Sequence, residues 1–381
     1  MIEYKGPESL RESVEKTYKK IGKDFRGKPQ IEVGLSHYGI DYSSLGFKDE
    51  SDYFKAIDSK IAEVKRVSDK KAKLMDQRID KMDVKKYKTF EEGWKAVMEG
   101  MTEEEKDLDY QYDVLMEQLR SIGSGHYINF KKTFARPLTD ITFDDLNKAE
   151  SVVLGGYMNV SDKIYFDPIY IFEAFQLEDS EDFQKTLLHE LTHREVGDRE
   201  SGKEKMRLFK KYAPLQKKVD GFRNSDTFKK AEAMSETEEF ERMMKAYEED
   251  DPRKKEIAKS CGFTDQEIEA LEHIDKVSDQ AEFYGQQIVR IAEKERALKI
   301  TAVDEGLGFA ASGEENPDFS SHGYVTKGIK LEDYQKAYDI FKDMLKEKYY
   351  EEVVKLAKDV MNKSYRENRD AVKMLAETAK Q

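Results

Sequence analysis

Residues 187–197 read LLHELTHREVG and hold two of the chain's six histidines. His189 and His193 are four positions apart, and Glu190 follows the first of them. Apolar side chains recur at the same spacing of four: Phe183, Leu187 and Leu191. This spacing predicts a helix with one apolar face. Asp179 or Ser180 could cap its start, and Gly197 could end it.

The HELTH stretch has the chemistry of a metal site. On a helix, a spacing of four places both imidazoles one turn apart on one face, where they can share a tetrahedral ion. Glu190 then projects beside the ion without binding it, where a general base can take a proton from metal-bound water. The alternative is that two polar residues share a helix face by chance. The pattern favours a zinc site held by His189 and His193.

A catalytic zinc needs three protein ligands and one open position. The continuation HExxHxxGxxH is excluded, because Val196 stands where that glycine would be and Arg199 where the third histidine would be. The remaining histidines are scattered along the chain: His37, His126, His273 and His322. The third ligand is therefore expected to be a carboxylate from a later helix.

Glu305 is the best candidate for that carboxylate. It lies in ITAVDEGLGFAASG, among small and apolar residues, and a buried carboxylate is costly unless it is paired with a cation. Glu236, Glu238 and Glu282 are the other candidates, but their charged surroundings are typical of a solvated helix face.

Net charge, cysteine count and the lack of long apolar runs indicate which classes of protein the chain could belong to. The formal charge of -13 disfavours a nucleic-acid binder, which needs cationic surface. Cys261 is the single cysteine, so no intrachain disulfide is possible and a reducing compartment fits. The sequence shows neither an apolar stretch typical of a signal peptide nor an apolar run long enough for a membrane span. We therefore expect a cytoplasmic protein without nucleic-acid or membrane partners, and the sequence leaves its oligomeric state open.

Periodicity predicts a mostly helical α+β fold with a small mixed sheet. Residues 50–83 carry a long helical pattern, in which a stripe of apolar side chains recurs at spacings of three and four: Tyr53, Ile57, Ile61, Val64 and Val67. Glycines at 306–328 predict a loop-rich segment. Four regions follow: a helical region (1–125), a small sheet with an edge strand and the active-site helix (126–198), a helical insertion (199–300), and the third-ligand segment with C-terminal helices (301–381).

Over roughly residues 150–330, the chain resembles the gluzincins, the zinc metallopeptidases that include thermolysin and the zinc aminopeptidases. HELTH is similar to their zinc motif, and VDEGLGFAAS is similar to their third-ligand helix, whose glutamate aligns with Glu305. The resemblance implies a zincin-like catalytic core with one zinc ion held by His189, His193 and Glu305.

Two further stretches carry the resemblance. LGGYMNVSDKIYFDP (154–168) is similar to the edge strand that receives the substrate backbone. The longer stretch ESVVLGGYMNVSDKIYFDP (150–168) predicts two short strands around the turn NVSD. HGYVTKG is similar to the aminopeptidase YxKG stretch, with one extra residue before the lysine, and implies Tyr324 as the oxyanion donor, with His322 as the second candidate. Separately, Asp198 could hydrogen-bond a ligand imidazole or be solvated.

The departures from the family pattern refine the expected activity. Glu305 follows His193 by 112 residues, which requires a long helical insertion within the site. GGYMN lacks the glutamate with which aminopeptidases hold the substrate's amine. We therefore expect an endopeptidase or oligopeptidase acting on peptides or unfolded protein. The alternatives are a non-catalytic or regulatory metal-binding helical protein, and a helical scaffold with a chance motif.

Overall fold

The computed structural model describes residues 2–33, 42, 46–123, 155–158, 162–176, 180–197, 199–319 and 328–380. These residues form two compact units. The first unit contains the described residues of Met1–Met158, Asp162–His193 and Ala311–Gly323. The second contains those of Arg194–Ala310 and Tyr324–Gln381. The four regions proposed from the sequence stay a prediction.

The first unit holds a four-stranded mixed sheet. Its strands are β1 (Glu3–Lys5), β2 (Gln30–Val33), β3 (Gly155–Met158) and β4 (Lys163–Phe166), in the order β1-β2-β4-β3. β2 pairs in parallel with β1 and β4, whereas β3 is antiparallel to β4, with Gly155 opposite Phe166. The two short strands predicted within 150–168 are confirmed, and β3 lies at one end of the described sheet.

The centre of the sheet is apolar and tightly packed. Ile31, Ile164 and Phe166 are all 0% exposed, as expected for strands covered on both faces. The Phe166 ring lies so close to Gly155 that a Cβ added there would be 2.7 Å from two ring carbons. Glycine at this position of β3 is therefore required by the ring of the neighbouring strand.

The helices of the first unit explain most of the periodicity in the N-terminal sequence. They are α1 (Glu8–Ile21), α2 (Glu50–Ile79), α3 (Phe90–Glu99), α4 (Glu103–Gly123) and α5 (Pro168–Gln176), with a short 3-10 turn at Val84–Lys86. α2 confirms the predicted long helix. The side chains that it buries are those of the predicted stripe: Tyr53, Ile57, Ile61, Val64 and Val67. Asp49 caps its start by accepting a hydrogen bond from the Asp52 amide at 2.9 Å.

The first part of helix α6 (Glu181–Val196) also belongs to this unit and is anchored by Phe183. Its ring is 0% exposed, and the Phe166 and Phe175 rings lie edge-on at centroid distances of 5.1 and 5.0 Å. These contacts attach the start of α6 to the sheet and to α5.

Phe183→Ala is expected to destabilise the protein by about 3–5 kcal/mol, because it removes buried apolar surface and leaves a cavity. Urea unfolding followed by circular dichroism measures the change. Phe283→Ala is the matched control, because the Phe283 side chain is 57% exposed, and its free energy of unfolding should change by less than about 0.5 kcal/mol. Equal effects of the two substitutions would contradict this account of how α6 is anchored.

The second unit is built from helices alone among its described residues. They are α7 (Glu200–Arg223), α8 (Asp226–Met234), α9 (Glu238–Glu248), α10 (Lys254–Ser260), α11 (Asp265–Ala297), α12 (Ile300–Ser312, up to Ala310), α13 (Leu331–Glu347), α14 (Tyr350–Glu367) and α15 (Ala371–Thr378). α7 and α11 pack along each other over much of their length. A separate apolar cluster joins α8, α9, α10 and the start of α11, with Phe263 at 2% exposure.

Helix α12 corrects the prediction of a loop-rich segment beginning at residue 306. Gly306 and Gly308 lie inside this helix and are buried. A Cβ on Gly306 would be 2.7 Å from both the Ala337 Cβ and the Tyr338 backbone nitrogen of α13. Glycine serves here for close packing of two helices, and the helix is stabilised by burial of its neighbours, including Val303 and Leu307 at 0% exposure.

The predicted fold class, mostly α-helical α+β with a small mixed sheet, is confirmed. Within the described part of the chain, every helix is too short or too polar to cross a membrane.

Candidate metal centre

The HELTH motif lies in the buried half of α6. The helix starts after Ser180, whose carbonyl accepts a hydrogen bond from the Gln184 amide at 2.9 Å. The acidic side chains of Glu181 and Asp182 lie in the first turn, where the positive end of the helix dipole stabilises negative charge. From Leu187 to Val196 almost every side chain is buried, polar and apolar alike. Both histidines and the glutamate of the motif are therefore shielded from solvent.

The two histidine rings converge through the same ring atom. His189 and His193 are each 8% exposed, and their Nε2 atoms are 2.9 Å apart. The ring planes are inclined at 84° with centroids 4.5 Å apart. Two nitrogens bound to one zinc at about 2.0–2.1 Å lie roughly 3.3 Å apart in a tetrahedral site. A small outward turn of the rings therefore suffices to accept an ion.

Glu305, on α12, completes the set predicted from the sequence. One ligand atom each from His189, His193 and Glu305 lie within 4.8 Å of one another. The carboxylate Oε2 atom of Glu305 is enclosed by protein. Among the described residues, this is the group of histidine and acidic side chains whose geometry could hold a metal ion.

The chemistry of this donor set fits zinc. Two imidazoles and one carboxylate form a three-ligand site of the kind that leaves the fourth tetrahedral position open for water or substrate. A structural zinc site is normally closed by four protein ligands, often thiolates, and Cys261 is absent from the group. The three residues could hold a metal ion, and the donor types favour zinc over calcium or magnesium, which prefer oxygen ligands alone.

Glu190 is buried on the same helix as the histidines. It is 6% exposed, and its Oε2 atom is enclosed by protein. Consecutive helical residues project about 100° apart, so the position of Glu190 on the helix is about a quarter-turn to one side of the direction shared by the two histidines. Thr192, between the motif's glutamate and second histidine, donates its hydroxyl to the Leu188 carbonyl at 2.8 Å and is satisfied within the helix.

The other candidates are separated from this group or lie outside the described residues. Glu236, Glu238 and Glu282 are exposed, as expected for a solvated helix face. Tyr324, His322, Asp198 and the possible cap Asp179 lie outside the described residues, so their proposed roles stay predictions.

Sequence reasoning missed a buried ion cluster beside Glu305 in the chain. Arg199 donates to Glu295 at 3.1 Å and to Asp304 at 3.0 Å, and Lys205 donates to the second oxygen of Glu295 at 2.7 Å. Ser201 donates to Glu295 at 2.5 Å. These side chains stand in a sequence rich in charge, so composition alone did not separate them from solvated neighbours.

Opposite charges outweigh burial at two of these groups. Burial raises the pKa of Glu295, but Arg199 and Lys205 outweigh it and hold that pKa below its usual value. Burial lowers the pKa of the Arg199 guanidinium, yet Asp304 and Glu295 raise it overall, so Arg199 stays charged. For Lys205 burial is the larger effect, and its pKa is lowered.

Comparison of the chain with protein-family models, curated proteins and solved structures finds no match. The gluzincin resemblance therefore depends on the motifs and on the His189, His193 and Glu305 geometry.

Proposed function

We propose that this protein is a zinc-dependent peptidase, acting as an endopeptidase or oligopeptidase. The convergence of His189, His193 and Glu305 within 4.8 Å carries the proposal. It is supported by the buried glutamate that follows the first histidine, because a metal site with a purely structural role has no need of a base there.

Each residue of the site has a separate role in the proposed hydrolysis of a peptide bond. His189, His193 and Glu305 would hold the ion, and zinc bound there would supply a Lewis acid for water and the scissile carbonyl. The Glu190 carboxylate accepts a proton from the attacking water and then delivers it to the leaving amine. The resemblance assigns stabilisation of the carbonyl oxygen to Tyr324.

Strand β3 is the proposed binding site for the substrate backbone. It is an edge of the described sheet and pairs with β4 on one side, and an extended peptide can add to such an edge through main-chain hydrogen bonds. Gly155–Met158 has no carboxylate to hold a free amino terminus. This supports internal cleavage over removal of single N-terminal residues.

Peptide cleavage by the wild-type protein tests the proposal. The full chain, loaded with zinc, is incubated with a diverse peptide mixture, and new termini are read by mass spectrometry. We expect cuts at internal positions that disappear with a zinc chelator and return when zinc is added back, because the apo site has no Lewis acid.

A parallel sample of the chelator-treated protein receives magnesium instead of zinc, and no cuts are expected from it. Metal binding without any cleavage would favour the alternative, a non-catalytic or regulatory metal-binding protein. Neither binding nor cleavage would favour a helical scaffold with a chance motif. Cuts confined to single N-terminal residues would contradict the endopeptidase assignment.

A further inference from the structure

We infer that Arg199 is a positioning residue for Glu305, acting through the neighbouring Asp304 on helix α12. The inference rests on the proposed metal site. Arg199 stands where another class of zinc enzymes has its third histidine ligand. In this protein, Arg199 instead orients helix α12, which supplies Glu305.

The ion cluster ties α12 to α7 and α11. Arg199 immediately precedes α7 and is 5% exposed. Its Nε contacts Glu295 on α11 at 3.1 Å, and its Nη1 contacts Asp304 on α12 at 3.0 Å. One guanidinium therefore bridges two carboxylates from two different helices.

The cluster is balanced in charge. The two cations, Arg199 and Lys205, face the two anions, Glu295 and Asp304, and all four side chains are at most 14% exposed. A buried ion pair costs much of its Coulombic energy in desolvation, so it is weak evidence for stability alone. The cluster can instead fix the orientation of the helices that carry its charged side chains.

Glu305 stands between two anchors of α12 in the chain. Before it, Asp304 is held by Arg199. After it, Gly306 packs so closely against α13 that a Cβ would be 2.7 Å from the Ala337 Cβ. Consecutive helical side chains project about 100° apart. A rotation of α12 that moved the Glu305 carboxylate would therefore break the ion pair or press the helix into Ala337.

Arginine is required for this role because its planar guanidinium holds two carboxylates in a fixed relation. A lysine keeps the charge but has a single ammonium on a flexible stem. Arg199→Lys should therefore retain charge balance and lose orientation. Asp304→Asn keeps the shape and a hydrogen-bond acceptor but loses the charge that attracts Arg199.

The test is Co²⁺ titration of the metal-free full chain, read by the visible d–d absorption bands, for the wild type, Asp304→Asn and Arg199→Lys. We expect each variant to bind Co²⁺ about 10- to 100-fold more weakly, as for other outer partners of metal ligands. We also expect changed band intensities, because a displaced carboxylate alters the geometry around the ion.

Arg78→Lys is the matched control. Arg78 contacts buried Glu105 at 2.9 Å and also donates a hydrogen bond to the Val97 carbonyl. The helices of these three residues carry none of the proposed metal ligands. This substitution should lower thermal stability while leaving Co²⁺ affinity and spectrum unchanged, which separates general destabilisation from a displaced ligand.

The outcomes separate this inference from the proposed function. Wild-type affinity and spectrum in Asp304→Asn would overturn the positioning role, and this nearly isosteric variant decides the question if Arg199→Lys does not fold. Weakened Co²⁺ binding in the variants of a protein that cleaves no peptide would support the positioning role and overturn only the peptidase proposal. A wild type that binds no Co²⁺ would overturn both.

Discussion

Glu190→Gln is expected to lower kcat for peptide hydrolysis by about a hundredfold to ten-thousandfold, the range typical of a lost general base. Glutamine has nearly the same shape but cannot accept the proton of the attacking water. Zinc content should stay at one ion per chain, because Glu190 is not among the three residues whose ligand atoms converge. The measurements are kcat on a peptide cut by the wild type and zinc content by elemental analysis.

Glu181→Gln is the matched control for this prediction. Glu181 lies on the same helix, but its side chain is 70% exposed and pairs with Lys185 four residues later at 3.0 Å. Its substitution should leave kcat within about twofold of the wild type, because exposed pairs of this kind contribute little. Full activity in Glu190→Gln would rule out the proposed mechanism.

Glu305→Gln is expected to weaken zinc binding by more than about a hundredfold, exceeding the effect of outer partners of metal ligands. The amide removes the negative charge that the carboxylate contributes beside two neutral imidazoles. Activity at limiting zinc should fall with the bound fraction and recover in part at high zinc. Competition with a chromophoric chelator gives the zinc affinity, and kcat/KM against zinc concentration gives the recovery.

Glu282→Gln is the control for the ligand assignment, because the sequence offered Glu282 as another third ligand. Its carboxylate is exposed and accepts a hydrogen bond from Gln286 at 2.8 Å. Zinc affinity should be unchanged in this variant. Unchanged affinity in Glu305→Gln, together with a loss in either histidine variant, would show that another group supplies the third ligand.

Local periodicity was sufficient to predict several helices. The α2 stripe from Tyr53 to Val67 recurs at spacings of three and four, and the structure buries all five of its apolar residues. The helix that carries HELTH was predicted for the same reason. A repeat that matches the helical turn specifies one face, and burial of that face follows from the hydrophobic effect.

The prediction based on Gly306 and Gly308 was wrong, because glycine can mark either a loop or a close contact between two helices. Gly306 and Gly308 suggested a loop, but they lie inside α12. The cost of glycine in a helix is about 1 kcal/mol relative to alanine, and close packing on α13 offsets it. That close contact joins residues 306 and 337, so no local pattern around Gly306 could show it.

The sequence by itself determined the helix of HELTH, the two histidines, the glutamate beside them and the candidate ligand Glu305, because spacing on a helix and chemical type are local properties. Only the tertiary structure decided that Glu305 converges with the histidines while Glu236, Glu238 and Glu282 stay exposed. It also decided that Arg199 pairs with an aspartate 105 positions away. The physical reason is that convergence depends on how distant helices pack, and packing energy is summed over contacts that a linear pattern does not contain.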